Sequence, residues 1–419
     1  MRLLYSLLIS LISPVFFLRL LYRSIWNSDY RRRWSERLAV YRGKAETGVI
    51  WFHAVSFGEA EAVFPLILEI RNSYPAYPIL VTTTTITGSD RVRSVLGDTV
   101  QHVYLPFDLP GAGQRFLRRF KPVLGVLMET EIWPNLYRAC GGERIPLAII
   151  NGRLSERSAR GYGRLRRFTT DTLQHVSMIA AQTSDDGQRF VEIGARPETI
   201  SVMGNIKFDY RVPEGLAEVG ATLRRELFGS RPVWIAASTH KGEEEQVLDA
   251  LESVRSIVRD LILVLVPRHP ERFSGVASLC EQRGFELVRR SEDRACSGST
   301  SVFLLDAMGE LKQFYAMADL AYIGGSLVKK GGQNPLEACA LGVPTVFGPH
   351  MFNFRKIGAS LVEVGAAIQV ADSKALGLQC IRLLKDTGYR ASIGEAGRTF
   401  VENNRGAVHK VVDLLGSHL

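Results

Sequence analysis

DLAYIGGSLVKKGGQNPLEACALGVPTVFGP, residues 319–349, is the stretch on which the fold turns. Leu320 to Ile323 is an apolar run of strand length, closed by Gly324-Gly325-Ser326. Glycine lets backbone amides approach an anion closely, and Pro335 suits the first turn of a helix opened by GGQNPLE. Free amides at such a helix start favour phosphate. Glu337 is poorly placed for phosphate but well placed to accept hydrogen bonds from ribose hydroxyls. The block therefore points to a sugar nucleotide. An ordinary strand-loop-helix crossover has the same local pattern, so the flanking sequence must decide.

Outward from this block the chain repeats one style. Strands are expected at 233–237, 261–266, 285–287, 302–304, 345–347 and 367–370, and in the first half at 49–55, 79–83, 102–104, 123–128, 147–150 and 178–181. Helical patterns alternate with them, the mark of βα units and parallel sheets. Residues 204–220, with Arg211-Val212-Pro213-Glu214-Gly215, have the composition of a linker. At 419 residues, 46% of them hydrophobic, the chain can bury two cores, so two doubly wound α/β domains facing a cleft are expected.

Five scattered cysteines with no C-x-x-C pair argue against a disulfide framework or a structural zinc site and favour a reducing cytoplasm. The net charge of +9 calls for an anionic partner: nucleic acid, phospholipid or an acidic substrate. Leu3 to Leu18 carries no charge, Leu20 and Leu21 extend it, and Arg19, Arg23 and Arg31-Arg32-Arg33 follow. That pattern is a membrane anchor, a tilted span or a shallow one, with the body on the cytoplasmic side. Bulky residues after Ser13-Pro14 and the lack of a small-x-small site speak against a cleaved signal. Trp26, Trp34 and the arginines would sit at an anionic surface.

The candidate chemistry lies at strand ends, where open α/β sheets place ligands. Glu59 follows the first strand and has the position of a base; an acidic first-turn residue complementing a helix dipole reads the same way. Glu129 and Glu131 follow the fourth strand beside Trp133, in a turn that also reads as a helix start with Pro134 in its first turn. Arg153, Ser155 and Arg157 lie in an arginine-rich turn suited to phosphate or carboxylate, or to a solvated basic face. Ser238-Thr239-His240, Arg268-His269 and the helix start around Met308-Gly309 are further anion candidates. No metal site is expected: the histidines are scattered and no H-E-x-x-H occurs, nor does a Walker loop or a G-x-S-x-G elbow.

In order, HAVSFGE (53–59), ETEIWPN (129–135), NGRLSERSARGY (151–162), GNIKFD (204–209), ASTHKGEEE (237–245), VPRHPERF (266–273), the NPLEA block and GPHMFNF (348–354) resemble the 3-deoxy-D-manno-octulosonic acid (Kdo) transferases of lipopolysaccharide assembly. Gly152, Lys241 and Gln333 stand where that family more often has Ala, Glu and His. The resemblance implies a GT-B enzyme of two Rossmann-like domains with an N-terminal membrane-anchor helix, inverting, with no cofactor and no obligatory metal. Its domains would be an anchor (1–30), an acceptor-binding domain (31–210) and a donor-binding domain (211–419) whose last helix can cross back to the first. Its partners would be CMP-Kdo, a lipid A precursor and membrane phospholipid rather than nucleic acid, at the inner membrane. By the same resemblance Glu59 is the general base, and Glu129, Glu131, Arg153, Ser155 and Arg157 serve the acceptor. Lys207, Ser238, Thr239, Arg268, His269, Met308, Gly309, Gly325, Ser326, Asn334 and Glu337 serve the donor. The rival reading is a GT-B transferase that uses a UDP-sugar on a lipid or cell-wall acceptor.

Overall fold

The computed structural model describes residues 1–26, 33–210 and 212–419. The expected anchor boundary at 30/31, Arg31, Arg32 and Arg211 lie outside the described residues, as do the side chains of Arg23 and Trp26. The chain folds as two compact units, Met1–Asp209 with Arg405–Leu419, and Tyr210–Asn404.

In the first unit, strands β1 (Ile50–His53), β2 (Ile79–Thr83), β3 (Gln101–Tyr104), β4 (Leu124–Met128), β5 (Leu147–Gly152), β6 (Met178–Ala181) and β7 (Ile200–Val202) form one sheet in the order β3-β2-β1-β4-β5-β6-β7. Every pairing is parallel. A parallel sheet is covered on both faces, which is why its strands read as unbroken apolar runs. Ile50 and Phe52 point into one core with Leu66 and Ile67 of helix Phe57–Ser73. Trp51 points into the other with Leu136 and Tyr137 of helix Pro134–Gly142. The chain leaves β1 and β4, adjacent strands, toward opposite faces, and that divergence opens a crevice at their C-terminal ends.

The second unit repeats the plan with β8 (Val233–Thr239), β9 (Ile262–Pro267), β10 (Leu287–Arg289), β11 (Val302–Leu304), β12 (Leu320–Ile323), β13 (Thr345–Phe347) and β14 (Ala367–Gln369). Their order is β10-β11-β9-β8-β12-β13-β14, again all parallel. The direction of winding reverses between β8 and β12, so the stretch 319–349 leaves the sheet at its switch point.

Three expectations need correction. β7 went unread because Ile200-Ser201-Val202 is a three-residue edge strand, only half-buried. β10 starts at Leu287, not Phe285, because the Phe285 amide still donates to Cys280 O at the end of helix Phe273–Gln282. The linker at 204–220 does hold the boundary between the units, but it is not all linker: Ile206 and Phe208 are buried in a 3-10 turn, and helix Leu216–Phe228 begins within it.

The C-terminal helix Ala407–Gly416 contributes Val408, Val411, Val412 and Leu415 to the first unit's core. Gly406 at its N-cap has no side chain to offer; Asp209 caps it instead, accepting from Gly406 N at 2.6 Å and Val408 N at 2.8 Å. Replacing such a cap costs about 1–2 kcal/mol. Asp209→Ala is expected to lower stability by that amount in urea unfolding.

Candidate active site

The first cluster sits at the β1/β4 switch point of the first unit. Ser56 caps helix Phe57–Ser73, its hydroxyl facing the Glu59 amide, and Glu59 folds back on the strand exit. Its Oε2 accepts from Val55 N at 2.8 Å and its Oε1 from Ser56 Oγ at 3.1 Å. This is a capping box displaced by one residue. Burial pushes the Glu59 carboxyl up to about 7; the Val55 amide opposes it, Glu129 adds to it, and Ser56 and Lys207 lower it.

Glu129 stands on left-handed backbone (φ 56°) after β4 and its Oε1 lies 3.4 Å from Lys207 Nζ. Glu131 is pushed up to about 7, by burial first and then by the Glu59 charge. The Trp133 indole nitrogen, buried without a hydrogen-bond partner, is still close enough to Glu131 to draw its carboxyl down. Tyr162, whose hydroxyl is raised by burial and then by Glu131, closes the group. Three carboxylates and one ammonium are thus gathered where the sheet opens. A buried carboxyl with a pKa near neutrality is suited to taking a proton from a hydroxyl.

Lys207, expected at the donor, belongs to this cluster through its ion pair with Glu129. Thr130 donates to the Arg153 carbonyl, so the arginine-rich turn is tied to the Glu129–Glu131 loop. The Arg153 and Arg157 side chains are exposed. Ser155 works as the N-cap of helix Glu156–Gly163, accepting from Ser158 N at 3.1 Å. Asn151 (φ 54°) is 1% exposed and its Nδ2 has no partner. That amide and Tyr162 are polar groups of the rim that the residue pattern did not single out.

The second cluster sits at the β8/β12 switch point of the second unit, and its inner shell overturns part of the sequence reading. The amides of Gly325, Ser326 and Leu327 are not free. They point at the Glu243 carboxylate, at 2.7, 3.0 and 3.0 Å, which also accepts from His240 N at 3.1 Å and Tyr322 OH at 2.5 Å. Glu243 is fully buried. All five partners are donors, as an ionised carboxylate out of water requires. The Ser326 hydroxyl is also used internally, donating to Ile323 O and accepting from Gly348 N at 2.8 Å. Thr239 is buried and donates to Glu244 Oε1 at 2.9 Å; Glu244, fully buried too, takes Arg272 on both oxygens.

The Gly-rich block is a knot more than an open cradle. Gly332 N donates to Gly325 O and Gln333 N to Gly324 O, while Asn353 N donates to Gly331 O. A Cβ on Gly324 would lie 2.4 Å from Ser238 O, so β8 and β12 exit in near contact and glycine is obligatory there. Helix Leu336–Ala340 has five residues, and Asn334 Oδ1 already accepts from Leu336 N at 3.1 Å. The amides of Gly324, Gly325, Gly332, Gln333 and Leu336, part of the set expected to be free, are thus engaged within the protein.

What faces outward is cationic and imidazole-rich. His240 stacks edge-on against His269 with centroids 5.5 Å apart, and Gln333 Nε2 meets its Nε2 at 3.1 Å. Burial, then His269, Lys330 and Arg268, depress His240 to about 4, so it is neutral and accepts from Gln333. His269 and Lys330 are exposed and Arg268 is half-buried. Ser238 stands on left-handed backbone (φ 58°) at the end of β8. Met308, 63% exposed, and Gly309 (φ 91°) lie in the loop before helix Leu311–Ala316, and Glu337 is half-buried beside Tyr210 and Tyr315. Among the described residues no group of three His, Cys, Asp or Glu is placed to hold a metal ion.

Glu243→Gln would aim an amide N–H₂ at a shell made only of donors. It is expected to cost about 3 kcal/mol or more in urea unfolding. The neighbouring exposed Glu245→Gln should change stability by less than about 0.5 kcal/mol.

Residues 32–210 match the family model for 3-deoxy-D-manno-octulosonic-acid transferase (kdotransferase), and residues 241–400 match that for glycosyl transferases group 1. The 3-deoxy-D-manno-octulosonic acid transferase of Haemophilus influenzae is 40% identical over 422 residues, covering 100% of this chain and 99% of that one. The Bordetella pertussis protein of the same name is 36% identical over 375 residues, covering 87% and 86%. Among solved structures, the UDP-GlcNAc 2-epimerase of Neisseria meningitidis bound to UDP-GlcNAc superimposes with a TM-score of 0.58 at 15% identity, over 90% of this chain and 100% of that one, a likeness of fold. With a relative 40% identical from end to end and both halves matched, the chain belongs to the 3-deoxy-D-manno-octulosonic acid transferase family of GT-B glycosyltransferases.

Proposed function

We propose that this protein transfers Kdo from CMP-Kdo to a lipid A precursor in lipopolysaccharide assembly, with inversion, from the cytoplasmic side of the inner membrane. The observation that carries the reading is the Glu59 carboxyl, held at the β1/β4 switch point and raised to about 7. Glu59 takes the proton of an acceptor hydroxyl as that oxygen attacks the anomeric carbon of the donor sugar. The bond from that carbon to the phosphate oxygen breaks, and CMP leaves with the electron pair. Its growing charge needs cations. Arg268 and Lys330 supply them at the β8/β12 rim, with His269 and Ser238 beside them and Glu337 accepting from ribose hydroxyls. Glu131 and Tyr162 orient the acceptor beside Glu59, and Arg153 and Arg157 meet its phosphates.

The test is release of CMP from CMP-Kdo by purified protein, expected only when lipid A precursor is present. Turnover of a UDP-sugar in its place would overturn the assignment. Glu59→Gln is expected to keep CMP-Kdo affinity and lose about 10²–10⁴-fold in turnover; a near wild-type rate would remove Glu59 from the base role.

The base must be ionised, so kcat/KM should fall as pH drops through about 7. Glu129→Gln removes a negative neighbour and releases Lys207, and both changes favour the ionised form of Glu59. The acid limb should move to lower pH. Lys207→Met should move it to higher pH. Pre-steady-state rates across pH read both shifts.

A further inference from the structure

Helix Arg2–Trp26 is long and apolar enough to cross a bilayer, yet one of its stripes is partly covered from Tyr5 to Leu20. Tyr5, Ser6, Ile9, Ser13, Phe17 and Leu20 are half-buried and recur every three to four residues. Their partners belong to the first unit. Tyr5 OH donates to Asp108 Oδ2 at 2.9 Å, and Ser6 Oγ to Asn135 Oδ1 at 3.0 Å. Tyr5 packs at a tilt on Phe168 at 5.5 Å, while Phe17 packs on Phe107 at 5.4 Å and on Trp34 at 6.5 Å. Tyr5 and Phe17 are about 18 Å apart along a helix axis, so the helix lies lengthwise on the unit.

The opposite stripe is bare. Leu3, Leu7, Leu11, Val15 and Leu18 are 57–81% exposed. A helix seated this way cannot cross hydrocarbon without drawing in the surface it rests on, which includes Asp108, Asn135 and, around a cavity of about 310 Å³ at its N-terminal end, Arg138, Asp171 and His175. Charged groups at that depth are prohibitively costly. An apolar stripe facing away from a polar body is the geometry of an in-plane anchor.

Charge continues the same surface. Arg160, Arg164, Arg166 and Arg167 are exposed, Leu165 among them is 48% exposed, and the next residue, Phe168, is the one packed against Tyr5. Arginines flanking a bare leucine suit anionic headgroups over acyl chains.

We propose that helix Arg2–Trp26 lies in the plane of one leaflet of an anionic phospholipid membrane, with Leu165 and its arginines as a second contact, and does not span it. The proposal rests on the membrane reading above and specifies its geometry. The arrangement fixes the acceptor cluster relative to the lipid surface, because Asp108, which holds Tyr5, also accepts from Asn135 N and Leu136 N at the start of helix Pro134–Gly142.

The experiment places an epitope tag ahead of Met1 of the full chain, expressed in a Gram-negative host, with protease added to spheroplasts or to inverted inner-membrane vesicles. An in-plane helix leaves the tag intact in spheroplasts and cut in inverted vesicles. A tag cut in spheroplasts means a span and overturns the proposal. Recovery of the chain in the soluble fraction overturns it together with the membrane reading. For the second contact, the Arg164→Glu/Arg167→Glu double variant is bound to vesicles of phosphatidylcholine alone or mixed equally with phosphatidylglycerol. Binding to the mixed vesicles is expected to weaken about tenfold or more, with the neutral vesicles unaffected. Undiminished binding to the mixed vesicles removes the arginines from the contact.

Discussion

A carboxylate taken out of water must be given hydrogen-bond donors, and Glu243 takes five of them, one from His240 just before it and four from the distant stretch Tyr322 to Leu327. His240 belongs to the exit of β8, Tyr322 to β12, and Gly325 to Leu327 to the loop after it. None of these donors can turn away without stranding the charge. Glu243 therefore sets the shape of the β8/β12 switch point, and with it the positions of Ser238, His240, Gln333 and Lys330. Glu244 does the same one step outward, fixing Thr239 and Arg272. The nest of amides that would suit a phosphate is filled by the protein's own anion. In the function proposed above, a nucleotide phosphate would meet the cationic rim instead.

The sequence announced the sheets more clearly than the site. Buried parallel strands such as Ile79–Thr83 and Leu320–Ile323 have only one way to read, because both faces are covered. Edge strands at Ile200–Val202 and Leu287–Arg289 are short, and polar on one side, so their pattern merges with the loops around them. Glu59, Glu129 and Glu131 were legible as polar residues at strand ends. Glu243 was not, since His240-Lys241-Gly242-Glu243-Glu244-Glu245 reads as a solvated helix start. Only Glu245 behaves that way; the two before it are fully buried. Burial of a charge depends on donors brought from elsewhere in the chain, and local pattern carries no record of them. The glycines show the same limit, for Gly324 is required by Ser238 O pressing against it, not by a ligand.

The two units put different chemistry at equivalent places. At the β1/β4 switch point the rim is acidic, and burial first, then like charges, lift Glu59 and Glu131 toward neutrality. At the β8/β12 switch point the rim is basic, and the same two effects acting on an imidazole depress His240. A buried carboxyl near neutrality on one unit and a cationic rim on the other suit the sugar transfer proposed above. The N-terminal helix is tied through Tyr5 and Asp108 to the edge of the acidic cluster's own loop.

The most direct test of Glu243 as the occupant of the glycine-rich nest is a crystal structure of the protein with CMP. The account predicts phosphate contacts to Arg268, Lys330 and their neighbours, with all five hydrogen bonds to Glu243 intact. A phosphate bound to the amides of Gly325, Ser326 and Leu327, with Glu243 displaced from them, would contradict it.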